Sequence, residues 1–133
     1  MKLKGKQIFV LEDDLINRAV MATVLENEGA TVVSDYWGDE SLEKLLSHSE
    51  KIDLFLLDLM LPNGRSGYDI ADRIRQEEMY RETPIIIVSA SDPDKEIPVV
   101  KERGFDGFIS KPINGIEFPF LLLDVLEGKT VWQ

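Results

Sequence analysis

The sequence contains no cysteine and only one histidine, His48, among its 133 residues. Without cysteine the chain forms no disulfide bond and offers no thiolate ligand to a metal ion. Any bound metal would therefore be held by oxygen ligands or by His48, which favours a hard cation.

Basic residues and long apolar runs are also scarce. Fifteen Lys and Arg stand against 25 Asp and Glu, which gives a formal net charge of −10. This charge opposes phosphate backbones and anionic lipid surfaces, so we expect no direct binding to nucleic acid or to membranes. No apolar run approaches the roughly 20 residues of a membrane span, and the start "MKLKGKQ" shows no signal-peptide pattern. We expect a cytoplasmic protein.

Short apolar runs alternate with amphipathic segments along the whole chain. Several runs are almost continuously apolar, as is typical of parallel strands that are covered on both faces. Apolar residues recur at helical spacing in the segments between them. The five runs are "IFVL" (8–11), "ATVVS" (30–34), "DLFLLD" (53–58), "PIIIVSA" (84–90) and "GFIS" (107–110).

Each predicted strand is followed by a segment that predicts a helix. The first helix begins after Asp14 as N-cap and ends at Gly29. The fourth, within 94–103, is expected to be short or irregular because Pro98 removes a backbone donor. The last carries Pro119 near its start, where proline is tolerated. Five such repeats in a chain of this length predict one α/β domain, a (βα)5 doubly wound parallel sheet of five strands.

Polar residues follow the carboxyl ends of these predicted strands. Glu12 and Asp13 come after the first strand, Asp58 ends the third, Ser89 comes after the fourth, and Lys111 follows the fifth. In an open parallel sheet, ligands bind outside the carboxyl ends of the strands. Three close carboxylates repel one another unless a cation lies among them. Mg²⁺ is such a cation, because proteins usually bind it through one or two carboxylates together with phosphate oxygens.

The remaining two residues suit an anionic ligand. The ammonium of Lys111 neutralises an anion as a point charge, and the Ser89 hydroxyl donates a hydrogen bond to an oxygen. Beside a bound cation and this ammonium, the Asp58 carboxylate can attack phosphorus in line and become an aspartyl-phosphate. The residues therefore predict a Mg²⁺-dependent phosphoryl acceptor.

Four short motifs in register resemble the receiver domain of two-component response regulators. They are "VLEDD" (10–14), "DLFLLDLMLP" (53–62), "IIIVSA" (85–90) and "ISKP" (109–112). The resemblance covers about residues 6–127 and implies a flavodoxin-like strand order, 2-1-3-4-5. It implies one receiver domain over residues 1–133, with 128–133 as a tail or the beginning of a linker.

The resemblance also assigns roles to seven residues of this sequence. The phosphorylation site is Asp58, the Mg²⁺ ligands are Glu12, Asp13, Asp58 and the backbone carbonyl of Met60, and the phosphoryl-binding and switch residues are Ser89, Lys111 and Phe108. The Lys111–Pro112 bond is expected to be the cis peptide that is common in this family.

The implied function is a signalling switch rather than an enzyme, since the chain would catalyse only its own phosphorylation and dephosphorylation. A sensor histidine kinase or a histidine phosphotransfer protein would donate the phosphoryl group. Output would pass to a downstream protein or a homodimer through the face of the fourth helix, fifth strand and fifth helix. The sequence leaves open whether the chain is a stand-alone regulator or a receiver from a larger protein.

Two features differ from the family pattern. Pro62 lies at the usual distance from Asp58, but Ser66 occupies the usual glycine position and Gly67 follows it. The loop 62–67 is therefore expected to be one residue longer without losing a ligand. Phe108 stands where many members carry a tyrosine, and it has no hydroxyl with which to report its burial.

Three other functions fit part of the pattern. A Mg²⁺-dependent phosphatase with an aspartyl nucleophile typically needs a second carboxylate two residues later, where this chain has Met60. A flavin-binding electron carrier needs a phosphate loop rich in Ser, Thr and Gly after the first strand, and carboxylates there repel the cofactor phosphate. An adaptor that binds partners without phosphorylation would need only the fold.

Overall fold

The computed structural model describes residues 1–36, 40–48 and 50–133, except for the side chain of Asn63. The strands in these residues form one parallel sheet in the order β2-β1-β3-β4-β5-β6. They are β1 (Gln7–Leu11), β2 (Thr31–Asp35), β3 (Leu54–Leu57), β4 (Ile85–Ser89), β5 (Gly107–Ser110) and β6 (Val131–Trp132). The predicted order of the first five strands is confirmed, and β6 adds a sixth strand at the edge beside β5.

Helices cover both faces of this sheet. They are α1 (Leu15–Asn27), α2 (Ser41–Ser47), α3 (Gly67–Gln76), α4 (Pro93–Glu102) and α5 (Phe118–Leu126). Single turns of 3₁₀ helix occupy Pro62–Gly64 and Glu78–Tyr80. Across the described ranges, none of the helices combines the length and the apolar character that crossing a bilayer requires.

The sheet separates two hydrophobic cores, because successive side chains of a strand point to opposite faces. On one face Phe9, Phe55 and Ile87 pack with residues of α2, α3 and α4. On the other face Val10 and Leu56 pack with residues of α1 and α5. Strands β1, β3 and β4 are fully buried, which explains their almost continuously apolar sequences.

Helix α1 begins where the sequence predicts. The Asp14 carboxylate accepts a hydrogen bond from the backbone N–H of Asn17, so Asp14 is the N-cap and its carboxylate serves the helix. Two apolar residues of α1, Ile16 and Val20, are nevertheless 74% and 47% exposed, and the helix packs through Met21 and Leu25 instead.

Helix α4 corrects one expectation. Pro98 lies inside it, yet the ten residues Pro93–Glu102 form an unbroken helix, so the prediction of a short or irregular segment is wrong. Proline removes one backbone donor, and here the rest of the helix compensates: Asp92 caps the N-terminus and Val100 is fully buried.

Candidate functional site

The carboxyl ends of the central strands bring the predicted residues together. Backbone hydrogen bonds continue the strand pairing beyond the strands themselves, because Asp58 N–H donates to the Leu11 carbonyl and Lys111 N–H donates to the Ser89 carbonyl. The side chains at this edge are therefore fixed by the sheet and not by flexible loops.

Three carboxylates converge at this edge. Glu12, Asp13 and Asp58 each offer one oxygen, and these oxygens lie within 4.8 Å of one another. Glu12 is fully buried, Asp58 is 6% exposed and Asp13 is exposed. The group therefore opens to solvent on the side of Asp13, where a hydrated ion could enter.

Lys111 joins two of these acids. Its Nζ lies 2.9 Å from Asp58 Oδ2 and also contacts Glu12 Oε1. The Lys111–Pro112 peptide is cis, as predicted. Burial lowers the pKa of the Lys111 ammonium, but the neighbouring Glu12 and Asp58 carboxylates outweigh burial and hold that pKa above its ordinary value. Lys111 therefore stays charged at neutral pH.

The surroundings of Glu12 disfavour the charged form of its carboxyl group. Burial and the adjacent Asp58 carboxyl raise its pKa and Lys111 opposes them, with a net pKa of about 7. Among the described residues, Glu12 Oε1 is a buried oxygen that accepts no hydrogen bond of ordinary geometry, although Lys111 Nζ lies against it. Hard divalent cations prefer such carboxylate oxygens, so this donor set fits a metal such as Mg²⁺.

Met60 lies beside the same site. Asp58 Oδ1 accepts a hydrogen bond of 3.3 Å from the backbone N–H of Met60, which keeps the Met60 backbone next to the carboxylate. The Met60 side chain is 72% exposed and adds no acid or base to the site. Coordination by the Met60 carbonyl stays a prediction.

The two predicted switch residues are both buried. The Ser89 hydroxyl accepts a hydrogen bond from the backbone N–H of Ser91. Phe108 is fully buried and belongs to the core on the α3 and α4 side of the sheet, where the partly buried Trp132 packs against the same core. Both residues would have to exchange their present contacts in any switch.

Gly67 is a site residue whose role the sequence did not reveal. A Cβ atom at this position would overlap the carbonyl oxygen of Asp58 and lie 3.0 Å from its carbonyl carbon. The loop 62–67 is closed by an antiparallel bridge between Met60 and Ser66 and by a bond from Gly67 N–H to the Leu59 carbonyl. A glycine at the end of this loop thus lies against the Asp58 backbone, and the extra residue relative to the family stays a prediction.

Replacing Lys111 with methionine is expected to lower the free energy of unfolding by about 2 kcal/mol. Loss of the ammonium leaves the Glu12 and Asp58 carboxylates without a counter-ion. The loss in free energy of unfolding is smaller than for a fully buried ion pair, because the site reaches solvent. Mg²⁺ should restore part of the loss in urea unfolding. Lys95→Met, on the exposed side of α4, should change little in either condition, and an equal loss in both variants would contradict the expectation.

Comparison with known proteins gives the following matches. A family model described as the response regulator receiver domain matches residues 8–119. The transcriptional regulatory protein AfsQ1 from Streptomyces coelicolor is 32% identical over 108 residues, which cover 81% of this chain and 45% of that protein. The response regulator ArlR from Staphylococcus aureus is 35% identical over 108 residues, which cover 81% of this chain and 47% of that protein. The chain therefore spans about half the length of these curated relatives.

A solved structure agrees with these sequence matches. The non-phosphorylated HemR receiver domain from Leptospira biflexa superposes with a TM-score of 0.75 at 29% identity. The match covers 91% of this chain and 94% of that one. The similarity therefore extends over almost the whole sheet and its helices.

Proposed function

The chain belongs to the response regulator receiver domain family of two-component signalling, and from this we propose that Asp58 is its phosphoryl acceptor and that Mg²⁺ assists the transfer. One observation carries the proposal: Lys111 Nζ and the oxygens of Glu12 and Asp13 surround the carboxylate of Asp58 at the carboxyl edge of the sheet. Such an arrangement neutralises an incoming phosphoryl group and directs it to one carboxylate.

The transfer would proceed at the Asp58 carboxylate. One of its oxygens forms the new bond to phosphorus as the bond from phosphorus to the donor breaks, and the electron pair of that bond leaves with the donor. Lys111 then pairs with a phosphoryl oxygen in place of Asp58 Oδ2. Ser89 exchanges its bond with the Ser91 N–H for a bond that its hydroxyl donates to another phosphoryl oxygen.

Glu12, Asp13, Asp58 and the Met60 carbonyl would hold the metal ion in this proposal. When bound, Mg²⁺ supplies positive charge that offsets the charge of the phosphoryl oxygens during transfer. The fit rests on the convergent carboxylates and on the buried Glu12 oxygen, which has no hydrogen bond of ordinary geometry in the described structure. A bound cation would add to the positive charge that Lys111 already places against Glu12.

The phosphoryl donor would be a sensor histidine kinase or a histidine phosphotransfer protein, since the family takes part in two-component signalling. The role is that of a signalling domain, and we propose that no external substrate is turned over. A cytoplasmic location and the absence of direct nucleic-acid binding stay predictions from composition. The names of the curated relatives describe proteins about twice as long as this chain, so their whole functions are not transferred to it.

Incubation with acetyl phosphate and Mg²⁺ tests the proposal. We expect the intact mass to show one phosphoryl adduct per chain. Chelation of Mg²⁺ should slow adduct formation by about a hundred-fold, because a metal ion contributes several kcal/mol of charge stabilisation to such transfers. The measurement is a time course of intact-protein mass with and without chelator, with Ca²⁺ as a second hard cation.

The result also separates the competing functions. Equal rates of adduct formation with and without chelator would contradict the role of the metal ion. Absence of an adduct in folded protein would favour the adaptor function, provided that transfer from a phosphorylated kinase had also failed. Catalytic hydrolysis of an added phosphoester would favour the phosphatase. The exposed methionine at position 60 supplies no acid or base for that reaction.

A further inference from the structure

Strand β6 covers the edge of β5 between α4 and α5. The Val131 N–H donates to the Asp106 carbonyl at 3.1 Å, and the Gln133 N–H donates to the Phe108 carbonyl at 2.8 Å. Gln133 also accepts two bonds through its carbonyl, from the N–H and the hydroxyl of Ser110. The segment 131–133 therefore satisfies the backbone groups that β5 presents on this side.

The side chains of β6 reach both faces of the sheet. Val131 is 6% exposed and belongs to the core beneath α5. Trp132 packs against the opposite core, pairs in register with Phe108, and has the Lys101 ammonium of α4 5.0 Å from its ring centroid. These contacts place β6 on the face that the sequence assigns to output.

Gly107 makes this close approach of β6 and β5 feasible. A Cβ atom at Gly107 would lie 2.6 Å from Val131 Cγ2 and 2.7 Å from the Val131 carbonyl oxygen. The next nearest atom also belongs to Val131, at 3.5 Å. The three nearest atoms all belong to Val131, so a methyl group at position 107 would collide with β6 before it met any other element.

Hydrogen bonds, one peptide bond and an ion pair link β6 to Asp58. Ser110, which binds the Gln133 carbonyl twice, directly precedes Lys111, whose ammonium lies 2.9 Å from Asp58 Oδ2. A phosphoryl group on Asp58 would separate the Lys111 ammonium from Asp58 Oδ2 and bind it through a phosphoryl oxygen instead. The resulting shift of Lys111 is the route by which the modification would reach Ser110 and, through the Gln133 carbonyl, β6.

We propose that β6 is a displaceable cover of the β5 edge, and that phosphorylation of Asp58 loosens it. The proposal rests on the phosphoryl-acceptor function proposed above and adds the element that responds to it. Strand β6 lies at the edge of the sheet and pairs with β5 on one side, and such peripheral elements open at low free-energy cost. Strand β6 therefore has the low stability that a two-state element requires.

Hydrogen exchange of residues 129–133 tests the coupling. In the unmodified chain the amides of Val131 and Gln133 should be protected, and phosphorylation with acetyl phosphate and Mg²⁺ should speed their exchange by about five-fold or more, the lower end of allosteric coupling. The Lys129 N–H donates to the Asp124 carbonyl at the end of α5, so its exchange should stay unchanged and serves as an internal control. The intact mass of the same sample reports the extent of phosphorylation.

Gly107→Ala provides the matched perturbation. This variant should release β6 without phosphate, so that Val131 and Gln133 exchange rapidly and phosphorylation adds little further change. Gly115→Ala is the control, because a Cβ there would meet only Val24 Cγ2 at an ordinary 3.6 Å. If Gly107→Ala fails to fold, Trp132→Ala removes the contacts with Lys101 and the Phe108 side of the core and should also speed exchange.

The outcomes separate this inference from the proposed function. Full phosphorylation with unchanged or slower exchange of Val131 and Gln133 would overturn the inference and leave the acceptor function intact. Failure of any adduct to form, both from acetyl phosphate and from a phosphorylated kinase, would overturn both. Rapid exchange in the unmodified chain, equal to that of the Gly107→Ala or Trp132→Ala variant, would show that β6 is no cover in solution.

Discussion

Replacing Asp58 with asparagine is expected to abolish the phosphoryl adduct formed from acetyl phosphate and Mg²⁺. The amide is a poor nucleophile and carries no charge for the metal ion, while its size and its ability to accept the Met60 N–H bond are retained. The fold should therefore survive the loss of chemistry. Intact-protein mass after incubation, together with a thermal unfolding curve for the variant, measures both consequences.

Asp53→Asn is the matched control for this experiment. Asp53 lies at the opposite end of β3, where its Oδ2 accepts a hydrogen bond from the Gln7 N–H, and the asparagine oxygen can accept the same bond. This variant should acquire the adduct at the rate of the unmodified chain. A full adduct on Asp58→Asn would place the acceptor at another residue, and peptide mapping of that adduct would identify it.

Replacing Gly67 with alanine is expected to lower the free energy of unfolding by about 3 kcal/mol. The new methyl group would overlap the carbonyl oxygen of Asp58, and both partners are held by the backbone, since Gly67 begins α3 and Asp58 continues β3. Neither side can yield without moving a main element. A loss of this size corresponds to a Tm lower by about 10 °C for a chain of this length, which calorimetry would measure.

The same substitution should also slow phosphorylation, because any relief of the overlap shifts the backbone that carries the Asp58 carboxylate. Gly115→Ala is the control for adding a methyl group where it meets no backbone atom. The stability and the phosphorylation rate of this variant should stay close to those of the unmodified chain. A Gly67→Ala variant with unaltered Tm would show that the loop from Pro62 to Ser66 absorbs the side chain. The loop would then yield to the added methyl group more readily than its hydrogen bonds indicate.

The parts of the structure that the sequence predicted depend on strong local signals. Buried strands such as 54–57 are almost continuously apolar, and Asp58 follows one of them at a fixed position on the sheet edge. Topology then brings Lys111 to the same edge from a position 53 residues away. The contact between Lys111 and Asp58 could therefore be expected, but the additional contact with Glu12 depends on side-chain packing.

The parts that were missed depend on tertiary contacts. Strand β6 contains only two residues, too few to show a period, and it forms because Gly107 leaves room beside β5. Pro98 weakens a helix by local rules, whereas the buried Val100 and the cap at Asp92 retain it. Apolar spacing in α1 likewise indicates a helix, but it does not show that Ile16 points outward.

The short sixth strand also affects how the molecule behaves at high concentration. An open sheet edge with unpaired N–H and C=O groups is a template for pairing with other chains, and longer, flatter edges are the more dangerous. Here β6 pairs with β5 and satisfies the backbone groups that β5 presents between Asp106 and Ser110. Strand β6 therefore removes the β5 edge from intermolecular sheet growth, and a chain that has released β6 should aggregate more readily.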